Sequence, residues 1–380
     1  MAQRLTWCEV SKAALMGNLA EFRRLVGPDC RLSPVVKANA YGHGLELAAR
    51  AFMEGGADAL CVNDAWEAGR LRGAGIAAPV IILGNVPPEQ AEEVVELGAE
   101  VVAYDRDLLV ALDRAGKAAG KTVKVMVKLE TGTNRQGLRM EEAWKLVSLA
   151  AELDGIQLAG LSTHFADIED TTDHTFAREQ LDRFNAGVDI LKTRGLKSVM
   201  RSVGNSAATI LWPEAHLDMV RVGIGAYGMW PSTETFVTAA LTHRNQLALQ
   251  PALTWKTRVA QVKEVPAGEY VSYGRTFRTT HPARLVVLPV GYYDGYDRGV
   301  SNMAWVLIRG RRAQVRGRVC MNMIMADVTD IPDVTVGDEV VLMGTDGDES
   351  IGAEQFATWA GTINYEVTTR IAESVQRIEV

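Results

Sequence analysis

The stretch EVVAYDRDLLVALDRAGKAAGKTVKVMVK, residues 100–128, contains two apolar runs of strand length separated by one segment of helix length. The runs EVVAY and VKVMVK are short and rich in valine, which is typical of strands buried on both faces. Between them, RDLLVALDRAGKAAG places apolar residues three and four positions apart and ends in glycine, as an amphipathic helix does. The stretch therefore predicts a strand, a helix and a second strand parallel to the first.

The same alternation extends outward from this stretch, towards the N-terminus and on to about residue 230. Further strand-like runs are LSPVVKA, DALCV, PVIILG, LAGLSTH, SVMRSVG and DMVRVGIG, and further helical segments are LELAARAFMEGG, PEQAEEVVELG, MEEAWKLVSLAAEL and FAREQLDRFNAGVDILKTRG. About eight such units match the size of a (β/α)8 barrel, and a doubly wound open sheet is the alternative. We therefore predict an α/β fold with an N-terminal (β/α)8 barrel.

The sequence pattern changes after residue 244, where runs of alternating apolar and polar residues are separated by Gly, Pro and Asp. Examples are ALTWKTRVAQVKEV, ARLVVLPVGYYDGY, AQVRGRVCMNMIMADV and DEVVLMG. This pattern predicts a mostly antiparallel β domain, followed by a last helical segment, GAEQFATWAGTINYEVTTRIAE. We place the barrel in residues 1–244 and the β domain in residues 245–380. The extreme N-terminal strand RLTWCEV could pair with the second domain.

The composition is that of a globular protein, with 47% hydrophobic and 23% charged residues among 380. The formal net charge is -7 and no Lys/Arg-rich run stands out, which excludes nucleic acid and anionic membranes as expected partners. The first residues lack a signal-peptide pattern, and no segment approaches the roughly 20 apolar residues that span a bilayer. We predict a soluble, cytoplasmic protein that binds small molecules.

The four cysteines are scattered without CxxC spacing, at Cys8, Cys30, Cys61 and Cys320. This spacing predicts neither a zinc site nor a disulfide framework. We expect buried thiols and no bound metal.

Polar residues follow the strand-like runs at the positions where a barrel places its reactive groups, the carboxyl ends of the strands. In chain order they are Lys37, Lys128, Arg135, His164, Asn205, Ser206 and the run from Arg221 to Ile224. We therefore expect these residues at one rim of the barrel.

The run PVVKANAYGHG, residues 34–44, places Lys37 at the end of an apolar strand, with small residues after it. Burial favours the neutral amine that a lysine needs to react with a carbonyl group, and small neighbours leave room for a flat cofactor. On these residues alone, a solvated or ion-paired rim lysine is the alternative.

PVVKANAYGHG resembles the lysine motif of the alanine racemase family, which uses pyridoxal phosphate (PLP), and the resemblance covers nearly the whole chain. The other motifs are KLETGTNRQG (128–137), STHFAD (162–167), GNSA (204–207), RVGIGAYG (221–228), VSYG (271–274), GYYDGY (291–296), RVCMNM (318–323) and NYEV (364–367). The resemblance implies a PLP barrel, a C-terminal β domain and a head-to-tail homodimer. It also implies that Lys37 holds the cofactor.

Racemisation removes the α-proton on one face and returns it on the other, so it needs two acid/base groups on opposite faces. The resemblance implies Lys37 for one face and Tyr273, from the partner subunit, for the other. It also implies that His164 orients this tyrosine with Arg221 behind it. Arg221 would face the pyridine nitrogen of PLP, where a group that only donates leaves the nitrogen unprotonated.

The remaining site residues are also carried over by resemblance. Arg135 would hold the PLP phenolate oxygen and the substrate carboxylate, with Lys128 either carbamylated to orient it or simply an ion-pairing lysine. From the partner's β domain, Tyr292 and the backbone of Met321 would surround the substrate carboxylate. Positions expected to bind the cofactor, chiefly its phosphate, are Tyr41, Leu83, Asn205, Ser206, Gly223 and Ile224.

Three departures from the family pattern affect the substrate. ETGT stands where DTGM is common, Asn322 stands where aspartate is usual, and Glu373 stands where many members have a tyrosine at the pocket mouth. We predict interconversion of L- and D-alanine, which would supply D-alanine for peptidoglycan. The alternatives are a serine or broad-specificity racemase on the same scaffold, more distantly a PLP decarboxylase, and a PLP-binding protein without turnover.

Overall fold

A computed structural model describes residues 5–196, 199–244 and 246–380. Its contacts divide the chain into two compact units. The barrel unit comprises Leu15–Ala40 and Leu45–Gln250, and the β unit comprises Tyr41–Gly44, Pro251–Val380 and the described residues up to Ala14. The division after Gln250 lies six residues beyond the boundary predicted at 244/245, which stays a prediction.

Eight short parallel strands form the centre of the barrel unit. They are β2 (Arg31–Pro34), β3 (Leu60–Val62), β4 (Val80–Ile82), β5 (Glu100–Ala103), β6 (Val123–Lys128), β7 (Ile156–Ser162), β8 (Met200–Ser202) and β9 (Met219–Val222). Strands β3 to β8 pair in sequence order, and β2 pairs with β9. The backbone bridge between Val35 and Cys61 joins β2 to β3, and the Arg221 N–H donates to the Gly204 carbonyl beside β8. These bonds close the ring and confirm the barrel over the doubly wound sheet.

Helices alternate with these strands, as the periodicity predicts. They are α1 (Lys12–Val26), α3 (Leu45–Glu54), α4 (Ala65–Gly73), α5 (Ala91–Leu97), α6 (Arg106–Ala119), α7 (Met140–Glu152), α8 (Thr175–Thr193), α9 (Ser206–Leu211) and α10 (Thr233–Leu241), and the short turn α2 (Lys37–Tyr41) follows β2. Helix α6 shows the local cause: the Asp105 side chain accepts a hydrogen bond from the Leu108 N–H, which would otherwise lack an acceptor. Its apolar positions face the strands, where Leu108, Leu109 and Leu112 are buried.

The β unit is built on one mixed sheet. Its strands are β1 (Trp7–Val10), β10 (Leu253–Arg258), β11 (Gln261–Val265), β14 (Ala283–Leu288), β15 (Trp305–Ile308), β16 (Arg311–Val315), β17 (Ile324–Asp327), β18 (Glu339–Asp346), β19 (Glu349–Ile351) and β20 (Gln376–Glu379), and the hairpin β12 (Tyr270–Val271) and β13 (Phe277–Arg278) stands apart. The order is β11-β14-β17-β16-β15-β18-β10-β1-β20, with β19 on β18. All pairs are antiparallel except β1 with β20, which agrees with the predicted mostly antiparallel domain. Strand β1 lies in this sheet. The sequence pattern alone left open whether this N-terminal strand pairs with the second domain.

The C-terminal segment differs from the single helix predicted for it. It forms two helices, α11 (Ala353–Ala360) and α12 (Asn364–Thr369), and the chain closes with β20. Gly361, with φ of 68°, ends α11 in the left-handed region, where glycine carries no side-chain penalty. The helical periodicity continues across this glycine, so the pattern alone did not reveal the break.

The core of the β unit contains a cluster of aromatic side chains. Tyr296 lies between Trp255 and Phe356, with ring centroids 5.8 and 5.2 Å away. All three side chains are almost fully buried. Such contacts add directional packing to the burial of a large apolar area and hold α11 on the sheet.

The cysteines follow the prediction in part. Cys8, Cys30 and Cys61 are buried, whereas Cys320 is half-buried, and none of the four forms a disulfide. Within the described ranges, no helix is both long and apolar enough to cross a bilayer. The same residues contain no cluster of three or more His, Cys, Asp or Glu side chains that could hold a metal ion.

The cap of α6 can be tested by the change Asp105→Ala. Losing the acceptor for the Leu108 N–H should lower the free energy of unfolding by about 1 kcal/mol, measured by urea titration followed by circular dichroism. The matched control is Asp107→Ala, also exposed and in the first turn, which should change stability by no more than about 0.5 kcal/mol. Equal losses in the two variants would contradict the assigned cap.

Candidate active site

The carboxyl ends of the barrel strands bring together the basic residues expected there. Lys37 follows β2, Lys128 ends β6, and Arg221 lies in β9. Lys128, Arg135 and His164 lie around one narrow gap between side chains. The parallel direction of the strands places these groups at the same rim.

Lys37 is half-buried, and its surroundings favour the neutral amine. Desolvation lowers its pKa most, and the positive charge of Arg135 lowers it further, whereas Glu67 and Cys61 act in the opposite direction. A lysine whose pKa is lowered has a larger fraction of nucleophilic amine near neutral pH.

Lys37 opens a turn with unusual backbone geometry. The next residues Ala38, Asn39 and Ala40 have φ of 55°, 53° and 54°, all in the left-handed region. For residues other than glycine this conformation costs roughly 1–2 kcal/mol each. The Asn39 side chain partly offsets the cost by accepting a hydrogen bond from the Leu45 N–H at 2.9 Å.

Arg221 is buried, and its guanidinium group is held by groups on the neighbouring strands. It donates to the Ser202 hydroxyl and, at 2.8 Å, to the Thr163 carbonyl. Although burial lowers its pKa, an arginine stays protonated near neutrality because its ordinary pKa lies above 12. The position is therefore a fixed cation that can donate hydrogen bonds and cannot accept them.

His164 and Lys128 titrate under the influence of these cations. The pKa of His164 lies well below its ordinary value because the ring is desolvated and Arg221, Lys128, Arg135 and Lys37 carry positive charge nearby. For Lys128, desolvation and then the charges of Arg221 and Arg135 lower the pKa to about 7. The rim therefore concentrates positive charge and is suited to bind anionic groups.

Small donors lie beside this cluster. The Ser206 hydroxyl oxygen accepts hydrogen bonds from the N–H groups of Gly223 (3.0 Å) and Gly225 (3.3 Å), which leaves its own proton available to donate. A Cβ added at Gly225 would lie 2.5 Å from the Phe22 ring, so no larger residue fits there. Ile224 begins a helical turn, where an N–H has no acceptor within the turn.

The donor set of the barrel unit fits PLP. The phosphate needs donors without bulk, which Ser206 and the segment from Gly223 to Ile224 offer. The aldehyde needs a neutral amine, which desolvation favours at Lys37. Asn205 caps α9 through a hydrogen bond to the Ala208 N–H, and Leu83 follows β4 and is half-buried.

The other predicted site residues belong to the β unit. Tyr41 packs against Tyr365, with ring centroids 6.0 Å apart. Tyr273, Tyr292 and Met321 are exposed, with Tyr273 at 73%. Asn322 and Glu373 are also exposed.

Three segments of the β unit form one face around Tyr273. The Ser272 hydroxyl donates to the Arg318 carbonyl at 2.6 Å, and the Tyr292 and Tyr293 N–H groups donate to the carbonyls of Cys320 and Met321, each at 3.0 Å. These bonds tie together the VSYG, GYYDGY and RVCMNM motifs, which lie far apart in the sequence.

Sequence reasoning missed one functional candidate, Glu67. This carboxylate on α4 is only 6% exposed and accepts the Ala38 N–H beside Lys37 at 2.6 Å. In the sequence it stands three residues after the cap Asp64, so it resembles an ordinary first-turn acid of a helix. Nothing in a single sequence separates the two roles.

Comparison with known proteins identifies the family. Residues 10–231 match the family model for the alanine racemase N-terminal domain, and residues 252–379 match the model for the C-terminal domain. Curated relatives named alanine racemase include one from Leptospira interrogans, 38% identical over 99% of this chain and 96% of its own, and one from Carboxydothermus hydrogenoformans, 42% identical over 99% and 100%.

Solved structures agree with these matches. The alanine racemase of Clostridium difficile 630 is 32% identical, has a TM-score of 0.92, and is matched over 100% of this chain and 97% of its own. The alanine racemase of Bacillus anthracis with bound L-Ala-P is 31% identical, with a TM-score of 0.92 over 100% and 96%. The chain therefore belongs to the alanine racemase family of PLP-dependent amino-acid racemases.

Proposed function

We propose that this chain interconverts L- and D-alanine with PLP held on Lys37, and that Tyr273 of a second copy acts on the opposite face. One observation carries the proposal: the Lys37 amine lies at a rim where cationic side chains and the Ser206 donor group converge, and its pKa is lowered there. This arrangement suits a dianionic phosphate, an aldehyde and an amino-acid carboxylate together.

PLP, when bound, supplies an electron sink for the electron pair left after the α-proton is removed. The chain's own residues hold the cofactor and the substrate. Ser206, Gly223 and Ile224 would bind the phosphate together with Tyr41, with Asn205 and Leu83 at neighbouring positions. Arg135 would bind the substrate carboxylate, and Tyr292 and Met321 of the second copy would complete that part of the site.

Arg221 would control how strongly the cofactor withdraws electrons. Its guanidinium is already oriented by Ser202 and Thr163, so it would present a fixed donor to the ring nitrogen. Because an arginine donates hydrogen bonds and cannot accept them, the ring nitrogen facing it has to be the acceptor and stays unprotonated. Fast return of the proton to the α-carbon is then favoured over side reactions such as transamination.

The exposed Tyr273 supports a homodimer with shared sites. Left-handed residues flank it, Ser272 with φ of 65° and Arg275 with φ of 49°, so the backbone carries strain to present this side chain. Other large apolar side chains exposed on the face around it are Tyr292, Tyr293, Met321 and Met323. An exposed apolar patch of this kind is typical of a protein interface, and a two-fold dimer would bury it on its own copy.

His164 would orient Tyr273 of the second copy. Because its pKa lies well below the ordinary value, the imidazole is neutral near pH 7 and one ring nitrogen can accept a hydrogen bond from the phenol. That hydrogen bond would orient the phenol, with the cation Arg221 behind the imidazole.

Lys128 is proposed to be carbamylated. Reaction with carbon dioxide requires a neutral amine, and the pKa of about 7 provides one at neutral pH. The product would be an anion among Arg221, Arg135 and Lys37, and it would orient Arg135 for the substrate.

Alanine is the proposed substrate because the chain belongs to the alanine racemase family. The enzyme would supply D-alanine for peptidoglycan and would act in the cytoplasm. A serine or broad-specificity racemase is the alternative, favoured by the acidic Glu373 where many members have tyrosine. Purified protein with PLP, assayed on each L-amino acid with enantiomers resolved, decides between them.

The cofactor position is tested by borohydride reduction of the PLP-loaded protein followed by peptide mapping. We expect the reduced cofactor on Lys37, because β2, which leads to this lysine, pairs with β9, which leads to the phosphate donors Gly223 and Ile224. Lys37→Ala should remain unlabelled at the site, whereas Lys124→Ala, at the start of β6, should be labelled like the wild type. Label on Lys128 would show that the assignment is wrong.

Arg221→Glu should raise the yield of pyruvate per racemisation event from alanine, because a carboxylate favours a protonated ring nitrogen and slows return of the proton. Pyruvate is measured with a coupled dehydrogenase and D-alanine by chiral chromatography. The control Arg178→Glu changes an exposed arginine on α8 and should leave the ratio unchanged. An active Arg221→Glu enzyme with the wild-type ratio would mean that Arg221 does not face the nitrogen.

The shared site is tested by mixing two inactive variants, Lys37→Ala and Tyr273→Phe, carrying different tags. Random exchange makes roughly half of the dimers mixed, and each mixed dimer has one intact site of two. Activity should therefore recover to about a quarter of wild type if the sites work independently. Isolated hybrids with no activity would show that the two residues do not meet across an interface.

A further inference from the structure

The left-handed turn after Lys37 requires bonds from outside itself to persist. Ala38 and Ala40 have side chains that disfavour φ near 55°, and Asn39 tolerates it better. The turn lies two residues after the end of β2, and its geometry determines where the Lys37 side chain begins.

Glu67 supplies such bonds from α4. One oxygen of its carboxylate, Oε1, accepts the Ala38 N–H at 2.6 Å, and the other, Oε2, accepts the Asn63 N–H at 2.7 Å. Both bonds are short, as expected when the acceptor is charged. Because Asn63 directly follows β3, one buried carboxylate joins the Lys37 turn to the end of the neighbouring strand.

The same carboxylate acts electrostatically on Lys37. Its negative charge raises the pKa of Lys37, against the lowering by desolvation and by Arg135, and Cys61 acts in the same direction as Glu67. Burial has the largest effect on Glu67 and raises its pKa above the ordinary value, with Asp64 acting in the same direction and the two N–H donors and Lys37 in the opposite one. The hydrogen bonds to both oxygens favour the ionised form.

We propose that Glu67 is a positioning residue: its buried carboxylate holds the left-handed turn that presents Lys37 and places a negative charge beside that turn. This inference rests on the proposed function of Lys37 as the PLP-binding lysine. The two roles predict separate effects, one on how fast PLP is captured and one on the pH at which capture begins.

The test follows PLP capture by the full-length apo protein, as the rise of visible absorbance, from about pH 6 to pH 10. The rate should rise to a plateau as Lys37 loses its proton. In Glu67→Gln the charge is absent, so the amine becomes neutral at lower pH and the midpoint should fall by about one pH unit. The amide offers one acceptor oxygen instead of two, so the plateau rate should fall by about tenfold.

Two further variants separate charge from geometry. Glu67→Asp keeps the charge on a shorter side chain that cannot reach both N–H groups, so the plateau should fall while the midpoint moves less than in Glu67→Gln. In the double variant Ala38→Gly with Glu67→Gln, glycine adopts the left-handed conformation without penalty. The plateau should then recover while the midpoint stays low, and this variant also serves if Glu67→Gln alone folds poorly.

Glu100→Gln is the matched control. Glu100 is as buried as Glu67, at 5% exposure, and is paired with Arg31 at 3.0 and 3.1 Å, but it begins β5 at the opposite rim. Its loss should lower the melting temperature without moving the midpoint of PLP capture. A purely structural role for Glu67 would give the same result as this control, and an unmoved midpoint in Glu67→Gln would therefore overturn the inference.

Borohydride mapping of the wild-type protein separates failure of this inference from failure of the proposed function. If Lys37 carries the label and the Glu67→Gln midpoint is unmoved, only the role of Glu67 is wrong. If another lysine carries the label, the proposed function of Lys37 is wrong and the inference falls with it.

Discussion

The parallel direction of the eight barrel strands is the constraint on which the site depends. Each strand ends at the same rim, so residues as distant as Lys37 and Arg221, 184 positions apart, converge without any local sequence relation between them. The strands are short and buried on both faces, which leaves their polar ends as the place where the chain can present chemistry. The basic groups lie at this rim because all eight strands run in the same direction and the groups stand at or after their carboxyl ends.

This convergence places several basic side chains close together, and their mutual repulsion accounts for part of the chemistry of the site. Lysines, arginines and a histidine in a poorly solvated rim lower one another's pKa, and Lys128 and His164 are affected most. Glu67 and Glu130 oppose this effect at Lys37 and Lys128, yet the pKa of both lysines stays lowered, so the remaining positive charge favours binding of phosphate and carboxylate groups. The close approach of these basic side chains therefore provides both the neutral groups that can transfer protons and the cations that can bind anionic ligands.

Backbone strain is found where the proposed reacting side chains are held. Lys37 is followed by four residues with φ in the left-handed region, Ala38 to Tyr41, and Tyr273 lies between Ser272 and Arg275, which also have positive φ. Such conformations persist only where surrounding bonds determine them. For Lys37 those bonds come from Asn39 and Glu67, and the second of these is invisible in the local sequence.

The barrel, the β domain and the residues at the rim could be predicted from the sequence, because strand and helix periods are local and the family motifs occur in order along the chain. The sequence did not reveal that Gly361 divides the last helix, that Glu67 holds the turn after Lys37, or that Cys320 is only half-buried. Each of these depends on which groups from distant segments lie nearby, and hydrogen bonds to a buried carboxylate or the solvation of a thiol exist only after folding. The lowered pKa of Lys128 belongs to the same class, since desolvation and the charges of Arg221 and Arg135 act through space and not along the chain.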